Sequence, residues 1–367
     1  MVLTWARALA WRLRRQLLDP VGTGSVADVV ARLAAVPAWP DVAAELAIGA
    51  RRKDARSGDA ARALAAGKVV KVFAFRGATH LMTPQDAGGY LALRASSRMW
   101  ELPSWESYYG LSPSDWPRFR EYVGRVLAEG PLTRSELAAA LGRSSRYQHL
   151  RTVITEGNDT LLKPLTWQGD LGLGPVRDGE ATFLRLDEVR GWAGIPDLDE
   201  AGPTVVAAYF RTHGPASPAR VHDWFGKGLG AKRQAVTRWL DQLDERLEQV
   251  SIEGDRVLVL REDLDDLRAT PASTAVRLLP GRDPWVMAPG TSDARVVPPA
   301  RREPVSRSAN LVVSRGVVAG TWTLRGDRLD VTWFKESGRV RRAALGQEAA
   351  ALANLLHRPL AMELVVG

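Results

Sequence analysis

Two neighbouring runs of residues decide the fold class, Val69-Val70-Lys71-Val72-Phe73-Ala74-Phe75 and Thr79-His80-Leu81-Met82. β-Branched and aromatic residues dominate both runs, which is typical of strands, and Gly77 predicts a turn between them. Helical periodicity precedes this strand pair in residues 1–20, 26–33, 43–50 and 59–66. Helices followed by a strand pair form the element order of a winged helix.

A second copy of this order follows. Trp116, Phe119 and Val123 share one helical face, and Thr133 with Glu136 has capping-box spacing for a short helix. A third helix is predicted through Tyr147, Leu150 and Ile154. We expect strands over Leu161–Trp167 and Ala181–Leu186, joined by the loop Gly169–Gly179.

A third copy begins near Thr204. Apolar residues at 205–210 predict one helix, Ser217 opens a second that ends near Gly226, and Val236–Leu247 predicts a third. Glu253-Gly254-Asp255 then turns a hairpin between residues 250–252 and 256–260. Three repetitions of one element order indicate a tandem array.

From Thr274 onward the pattern is mostly β, ending in a predicted helix at Gln347–His357, and Pro289–Pro304 is expected to be an exposed loop. We therefore predict an α+β fold, mainly α, with three tandem winged-helix motifs and a small β-rich C-terminal domain. The predicted domains are residues 1–112, 113–199, 200–273 and 274–367. Strands are predicted at Val276–Leu279, Leu311–Val313, Val317–Trp322 and Leu329–Phe334.

The composition predicts a polyanionic partner. The 367 residues have a formal net charge of +8 and contain no cysteine, which excludes disulfides and cysteine-bound metals. The five histidines are scattered, so we expect neither a metal nor another cofactor. No apolar run approaches the roughly 20 residues of a membrane span, and no signal peptide is evident, so we expect a cytoplasmic protein that does not bind membranes.

Basic residues cluster on the last helix before the hairpin in the second and third copies. A winged helix inserts that helix into the major groove of duplex DNA, so we expect these residues to contact double-stranded DNA. The alternative is a charged face that only contacts solvent. The residues are Arg143, Arg146 and Arg151 in the second copy, and Lys232, Arg233 and Arg238 in the third.

Between the second and third helical segments, Val36–Pro40 predicts an ordered bend in which Pro37 and Pro40 flank Trp39. Asp41 is the expected N-cap of the following helix. That helix is predicted to run into Arg51, Arg52 and Lys53, so that an aromatic bend and a cationic helix end face nucleic acid. The alternative is a connector between two core helices.

The chain resembles the bacterial AlkZ-like family of winged-helix DNA glycosylases. The resemblance covers nearly the whole chain and rests on Trp11-Arg12-Leu13, Ala43-Ala44-Glu45-Leu46-Ala47, Arg76-Gly77-Ala78-Thr79-His80-Leu81, Leu278-Leu279-Pro280 with Asp283, and Gly320-Thr321-Trp322. It implies three winged helices and a β domain around a basic surface for duplex DNA. It also implies excision of bulky alkylated purines, including crosslinks made by natural-product genotoxins, and self-resistance to such toxins.

The catalytic motif of the family is Gln-x-Gln or Gln-x-Asp, and the matching positions here are Pro37 and Trp39. Neither side chain offers a carboxamide or carboxylate to position a water. The remaining catalytic candidates are Asp41 and His80, with Glu45 expected to be structural. Trp39 is expected either to stack on a base or to fill the core.

Three functions remain open from the sequence. The first is a DNA N-glycosylase that uses Asp41 or His80 in place of the missing glutamines. The second is a non-catalytic protein that binds or sequesters damaged DNA. The third is a transcriptional regulator, which would usually dimerise on half-sites. No dimerising heptad repeat is visible, so we expect a monomer.

Overall fold

The computed structural model describes residues 2–367. It is 49% helical and 19% strand, which confirms the mixed, mainly helical class predicted from the sequence. The helices in these residues are α1 (Trp5–Arg15), α2 (Val26–Leu33), α3 (Asp41–Gly49), α4 (Asp59–Ala65), α5 (Pro84–Ala95), α6 (Pro103–Tyr109), α7 (Trp116–Val126), α8 (Arg134–Gly142), α9 (Arg151–Thr155), α10 (Lys163–Trp167), α11 (Leu198–His213), α12 (Pro218–Leu229), α13 (Arg233–Gln242), α14 (Leu264–Ala269), α15 (Pro284–Met287), α16 (Arg302–Ser306) and α17 (Arg342–Leu356).

The strands follow the same chain order. They are β1 (Val36–Pro37), β2 (Val70–Phe73), β3 (Thr79–Met82), β4 (Leu132–Thr133), β5 (Leu171–Leu173), β6 (Thr182–Arg185), β7 (Leu247–Ile252), β8 (Asp255–Leu260), β9 (Val276–Leu279), β10 (Asn310–Ser314), β11 (Val317–Arg325), β12 (Arg328–Trp333) and β13 (Ala361–Val366).

The chain forms two compact units, and both are discontinuous in sequence. Unit 1 contains residues 1–60, 206–224 and 237–367, and unit 2 contains residues 61–205 and 225–236. Within residues 2–367, no helix is both long enough and apolar enough to cross a lipid bilayer.

The C-terminal part of unit 1 is built on a five-stranded sheet with the order β13-β12-β11-β10-β9. Neighbouring strands are antiparallel except for β12 and β13, which are parallel. Helix α17 packs Leu345 and Leu352 against Trp322 and Trp333 of the sheet. The predicted β-rich end is therefore present, but the chain ends on β13 rather than on the helix.

The segment Pro289–Pro304 corrects a second expectation. Val296 and Val297 are fully buried and pack with Leu9, Leu13 and Trp285 in one core cluster of unit 1. Apolar side chains leave water wherever tertiary contacts allow it, so this proline-rich segment forms part of the core and is not merely an exposed loop.

In unit 2 the strand order is β3-β2-β5-β6-β4. The predicted hairpin is confirmed, with Val70 opposite Met82 and Phe73 opposite Thr79. The predicted strand at Leu161–Trp167 is wrong, because this run forms a 3-10 turn followed by α10. Nearly all of its side chains are buried. The periodicity of such a continuous apolar run is the same for a buried helix and a buried strand, so it does not predict which of the two forms.

Two helices begin at complete N-terminal caps, and the third copy has its hairpin turn where the sequence predicts it. Ser25 with Asp28 and Thr133 with Glu136 both form complete capping boxes. Residues 198–260 contain α11, α12 and α13 followed by the β7–β8 hairpin, in the predicted order, although α11 begins six residues before Thr204. Glu253 and Gly254 form its two-residue turn with φ of 50° and 89°, the conformation that a tight hairpin requires.

Candidate nucleic-acid interface

The bend between α2 and α3 projects Trp39 into solvent. Ala35, Val36 and Ala38 are buried, so they anchor the segment in unit 1. Trp39, between the buried Ala38 and the exposed Pro40, keeps 66% of its surface accessible. Large aromatic side chains are normally mostly buried, and an exposed one in an anchored segment is available for a partner. Of the two expectations for Trp39, core filling is excluded.

A cation supports the exposed indole. The guanidinium carbon of Arg282 lies 5.6 Å from the centre of the Trp39 ring. Arg282 is itself oriented, because its Nε donates a hydrogen bond of 2.6 Å to Ser308 Oγ. A cation at this distance from an indole face is attracted to it. Arg282 was not predicted as a site residue, since no local pattern indicates which residue will contact Trp39 across more than 240 positions.

Asp41 begins α3 but does not cap it. The N-cap is Pro40, which has no capping side chain, so the prediction of Asp41 as N-cap is wrong. Pro40 has a fixed φ that suits the N-cap position, so the helix starts at Asp41, one residue earlier than expected. Asp41 lies in the first turn with an exposed side chain, where the helix dipole favours a negative charge. Glu45 lies one turn further along and is half-buried.

Pro37 occupies the first position that the resemblance assigns to the catalytic motif. It is half-buried in the short strand β1. Its side chain has no donor or acceptor, and Trp39 has only the indole N–H as a donor. The bend therefore offers a stacking surface and, at Asp41, a neighbouring carboxylate.

His80 lies in unit 2 on β3 and is 6% exposed. Its Nδ1–H donates to the carbonyl of Ala78 at 3.0 Å, which leaves Nε2 as the acceptor nitrogen. Burial lowers the pKa of His80 to about 4, so the ring is neutral at pH 7. The Phe75 ring lies 5.4 Å away, centre to centre. A neutral imidazole of low basicity can accept a hydrogen bond but cannot supply a positive charge.

Arg51 is not a surface residue. Its side chain is fully buried and forms two hydrogen bonds, of 2.7 and 2.8 Å, with the carboxylate of Asp283. The backbone carbonyls of Gln16 and Ala47 accept further hydrogen bonds from it. The prediction that Arg51 contacts DNA is therefore wrong, because its charge is neutralised inside unit 1.

The neighbouring basic residues differ in their exposure. Helix α3 ends at Gly49, so it does not run into the basic residues as predicted. Arg52 is half-buried, forms an ion pair with Asp59 and donates to the Gly24 carbonyl at 2.9 Å. Lys53 is exposed. Of the predicted basic triplet, Lys53 is thus the residue with an exposed side chain.

The basic residues of the second copy are exposed but do not lie on one helix. Arg143 is the C-cap of α8, Arg146 lies in the following turn and pairs with Asp115, and Arg151 begins α9. The predicted third helix is short, a 3-10 turn at Gln148–Leu150 joined to α9. These three arginines therefore surround a connection rather than line a long recognition helix.

The third copy matches its prediction more closely. Lys232 precedes α13, Arg233 begins it, and Arg238 lies within it, and all three are exposed. Val236 and Trp239 on the same helix are fully buried. Helix α13 is thus amphipathic, with a basic outer face of the kind that binds phosphates.

Known proteins resemble this chain over most of its length. The sequence model of the family described as "DNA glycosylase AlkZ-like" matches residues 30–355. The chain is 35% identical over 359 residues to the "Interstrand DNA cross-link repair glycosylase" of Streptomyces sahachiroi, and the match covers 96% of each chain. Among solved structures, the Streptomyces sahachiroi DNA glycosylase AlkZ superposes with a TM-score of 0.92 at 33% identity, over 100% of both chains.

The family match spans most of the chain, and the relative and the solved structure extend it to almost every residue. A similarity of this length and identity includes the bend, both units and the C-terminal sheet. This chain belongs to the AlkZ-like DNA glycosylase family.

Proposed function

We propose that this chain binds double-stranded DNA containing bulky alkylated purines, and that the bend around Trp39 recognises the modified nucleotide. The supporting observation is that Trp39 is 66% exposed and contacts Arg282 at the position where the family resemblance places a catalytic residue. Stacking of a base on an aromatic side chain contributes roughly 1–3 kcal/mol. An N7-alkylated purine is cationic, so an electron-rich indole face suits it.

The proposed duplex contacts come from the exposed basic residues. The outer face of α13 supplies Lys232, Arg233 and Arg238, and the α8–α9 connection supplies Arg143, Arg146 and Arg151. The order of helices and hairpins supports three winged-helix motifs, of which the third, with α13 before the β7–β8 hairpin, is the most regular. In such a motif the helix before the hairpin contacts the major groove. We propose that the protein binds as a monomer.

Recognition is favoured over hydrolysis by the side chains at the bend. Cleavage of the N-glycosidic bond passes through an oxocarbenium-like sugar, which needs a positioned water and nearby negative charge. Pro37 has no polar atom, and the Trp39 indole can only donate. The neutral His80 offers one acceptor nitrogen.

A second candidate function is retained DNA N-glycosylase activity with Asp41 as the stabilising carboxylate. The exposure of Asp41 in the first turn of α3, two residues after Trp39, favours this candidate. An alkylated purine leaves as a neutral base and needs little acid assistance, so one carboxylate and a water would provide the required chemistry. The name of the Streptomyces sahachiroi relative adds interstrand crosslinks to the lesions that we propose for both functions.

One experiment separates the two candidates. Binding and base release are measured on matched duplexes, either unmodified or with one bulky N7-alkylguanine or one crosslink, for wild type, Trp39→Ala, Trp39→Phe, Asp41→Asn and His80→Asn. We expect tighter binding to the modified duplex, lost in Trp39→Ala and retained in Trp39→Phe, without base release. Release that disappears in Asp41→Asn would establish the glycosylase, and equal affinity for both duplexes would overturn lesion recognition.

A further inference from the structure

A cavity in unit 1 has in its wall a buried arginine, Arg12, which is near the charge of Asp293 but forms no hydrogen bond with a carboxylate of residues 2–367. It has a volume of about 170 Å³ and is lined by residues of α1, α11, the start of α12 with the connection before it, the β7–β8 hairpin and the segment after α15. At about 30 Å³ per water molecule, this volume has room for five to six waters. It is smaller than the pockets that bind drug-sized ligands, whose volumes begin at roughly 300 Å³. It therefore suits a group of phosphate size rather than a whole nucleotide.

Arg12 is the central feature of this wall. It is 2% exposed, its Nε donates to the Gly214 carbonyl at 3.4 Å, and its Nη2 donates to the Pro215 carbonyl at 3.2 Å. Its Nη1 is buried and has no hydrogen-bond partner in the described residues. Buried guanidinium groups are normally paired with an anion, as Arg51 is with Asp283.

The other charges of the wall leave a positive excess. Among the described residues the lining includes four arginines and two aspartates. Arg295 engages both acids, since it donates to Asp293 at 3.2 Å and to Asp255 at 3.0 Å. Arg220 donates to Ser292 Oγ at 2.8 Å, a neutral partner. Arg12 and Arg220 thus line the cavity without a hydrogen-bonded carboxylate.

The remaining titratable groups of the wall do not supply the missing charge. Burial raises the pKa of Tyr209 to about 12, so the phenol is neutral. Burial and the charges of Arg12 and Arg51 lower the pKa of His213 to about 3, so the imidazole is neutral too. At pH 7 the arginine excess of the cavity is therefore unbalanced by these side chains.

We propose that this cavity is a binding site for a phosphate group, with Arg12 and Arg220 as its principal donors. Guanidinium groups bind phosphate oxygens through paired, charge-assisted hydrogen bonds, and a phosphate would supply the hydrogen-bonded anion that Arg12 and Arg220 lack. The exposed Arg256 also lines the cavity, so the cavity reaches the surface. Two sources provide this chemistry, namely free inorganic phosphate and the terminal phosphate of a DNA strand. The second source rests on the proposed function, and the first does not.

The test uses the full chain and two probes. Inorganic phosphate is titrated by calorimetry and by thermal unfolding, against chloride at matched ionic strength. In parallel, duplexes with a 5′-phosphate or a 5′-hydroxyl are compared in binding. The variants are Arg220→Gln and Arg12→Lys, and Arg302→Gln is the control because Arg302 is exposed and lies outside the cavity. Arg220 is only half-buried, so its variant remains informative if Arg12→Lys does not fold.

We expect saturable binding of phosphate, weakened roughly 10- to 100-fold in Arg220→Gln and unchanged in Arg302→Gln. A preference for 5′-phosphorylated duplex that Arg220→Gln abolishes, without binding of free phosphate, would support the DNA source. No effect of phosphate over chloride together with no effect of the 5′-phosphate would overturn the proposal. Phosphate binding that both cavity variants retain would overturn it as well. Free phosphate is tested without DNA, so the phosphate result remains valid even if the protein does not bind duplex DNA. Failure of the proposed function can therefore be distinguished from failure of the phosphate site.

Discussion

Arg51 and Asp283 form a doubly hydrogen-bonded ion pair in which both side chains are completely buried. The pair joins the chain just after α3 to the chain just before α15. Asp283 also accepts a hydrogen bond from the backbone N–H of Trp285, which fixes the start of α15. Because Arg282 is the neighbour of Asp283 and contacts Trp39, this buried pair also holds the cation that supports the exposed indole.

We expect Asp283→Ala to lower the free energy of unfolding by about 3–5 kcal/mol, because Arg51 would remain buried without a counter-ion. Urea unfolding followed by circular dichroism measures this. The matched control is the double variant Arg51→Met with Asp283→Leu, which replaces the pair by apolar groups. This double variant should be less destabilised than Arg51→Met alone or Asp283→Leu alone. Additive losses in the double variant would contradict a coupled pair.

The contact between Arg282 and Trp39 should be detectable in DNA binding. Arg282→Gln removes the cation over the indole, and we expect affinity for an adducted duplex to fall by about 0.5–1 kcal/mol. In Trp39→Ala the same substitution should have little further effect. A double-mutant cycle by fluorescence anisotropy measures the coupling. If Arg282→Gln lowers the affinity for DNA equally in the wild type and in Trp39→Ala, Arg282 acts as an independent phosphate contact instead.

Duplex binding should depend strongly on salt. The slope of log K against log salt is about −0.9 for each phosphate neutralised. We therefore expect Arg233→Gln to reduce the slope by about one, because Arg233 is exposed on the amphipathic helix α13. Arg302→Gln is the control, because it removes one positive charge at an exposed site on α16 outside the proposed DNA contacts. It shows how much of the change in slope comes from net charge alone. An affinity that does not change with salt would exclude the proposed basic surface.

Acid should destabilise the protein through its buried histidines. The pKa of His80 is lowered to about 4 in the folded state, against about 6.5 when unfolded, so the stability gained from its neutral form is complete above 6.5 and is lost as the pH falls towards 4. Between pH 7 and pH 5 this one residue costs about 2 kcal/mol. His213, with a pKa lowered to about 3, acts in the same direction.

His80→Asn tests this linkage, because asparagine can donate a hydrogen bond but does not titrate. We expect the difference in unfolding free energy between pH 7 and pH 5 to shrink by about 2 kcal/mol in this variant, measured by urea unfolding at both pH values. An unchanged pH dependence would show that the pKa of His80 is the same in the folded and the unfolded state, which would contradict a pKa lowered by burial.

Short-range features were predictable from the sequence. Both capping boxes depend on residues three apart, and the turn at Glu253-Gly254 depends on a glycine that tolerates positive φ. The amphipathic helix α13 follows from the spacing of Val236 and Trp239. The family resemblance led to the prediction that the bend is the site, with the usual polar residues absent at positions 37 and 39, and this stays a prediction.

Features that depend on distant contacts were mispredicted. Leu161–Trp167 forms a helix although its apolar run suits a strand equally, because the packing around it selects the conformation. Arg51 and Lys53 are chemically similar in the sequence, yet Arg51 is buried against Asp283 while Lys53 is exposed. No local pattern distinguishes a cation that will meet a carboxylate more than 200 residues away.

The sequence by itself determined the basic charge, the order of helices and strands in the third copy, and the aromatic bend, because these depend on composition and on neighbours within a few residues. Only the tertiary structure decided that Trp39 is exposed, that Arg282 contacts it, and that Arg12 lines a cavity without a hydrogen bond to a carboxylate of the described residues. Burial and charge pairing arise from segments that meet in space, and their separation along the chain leaves no local signal.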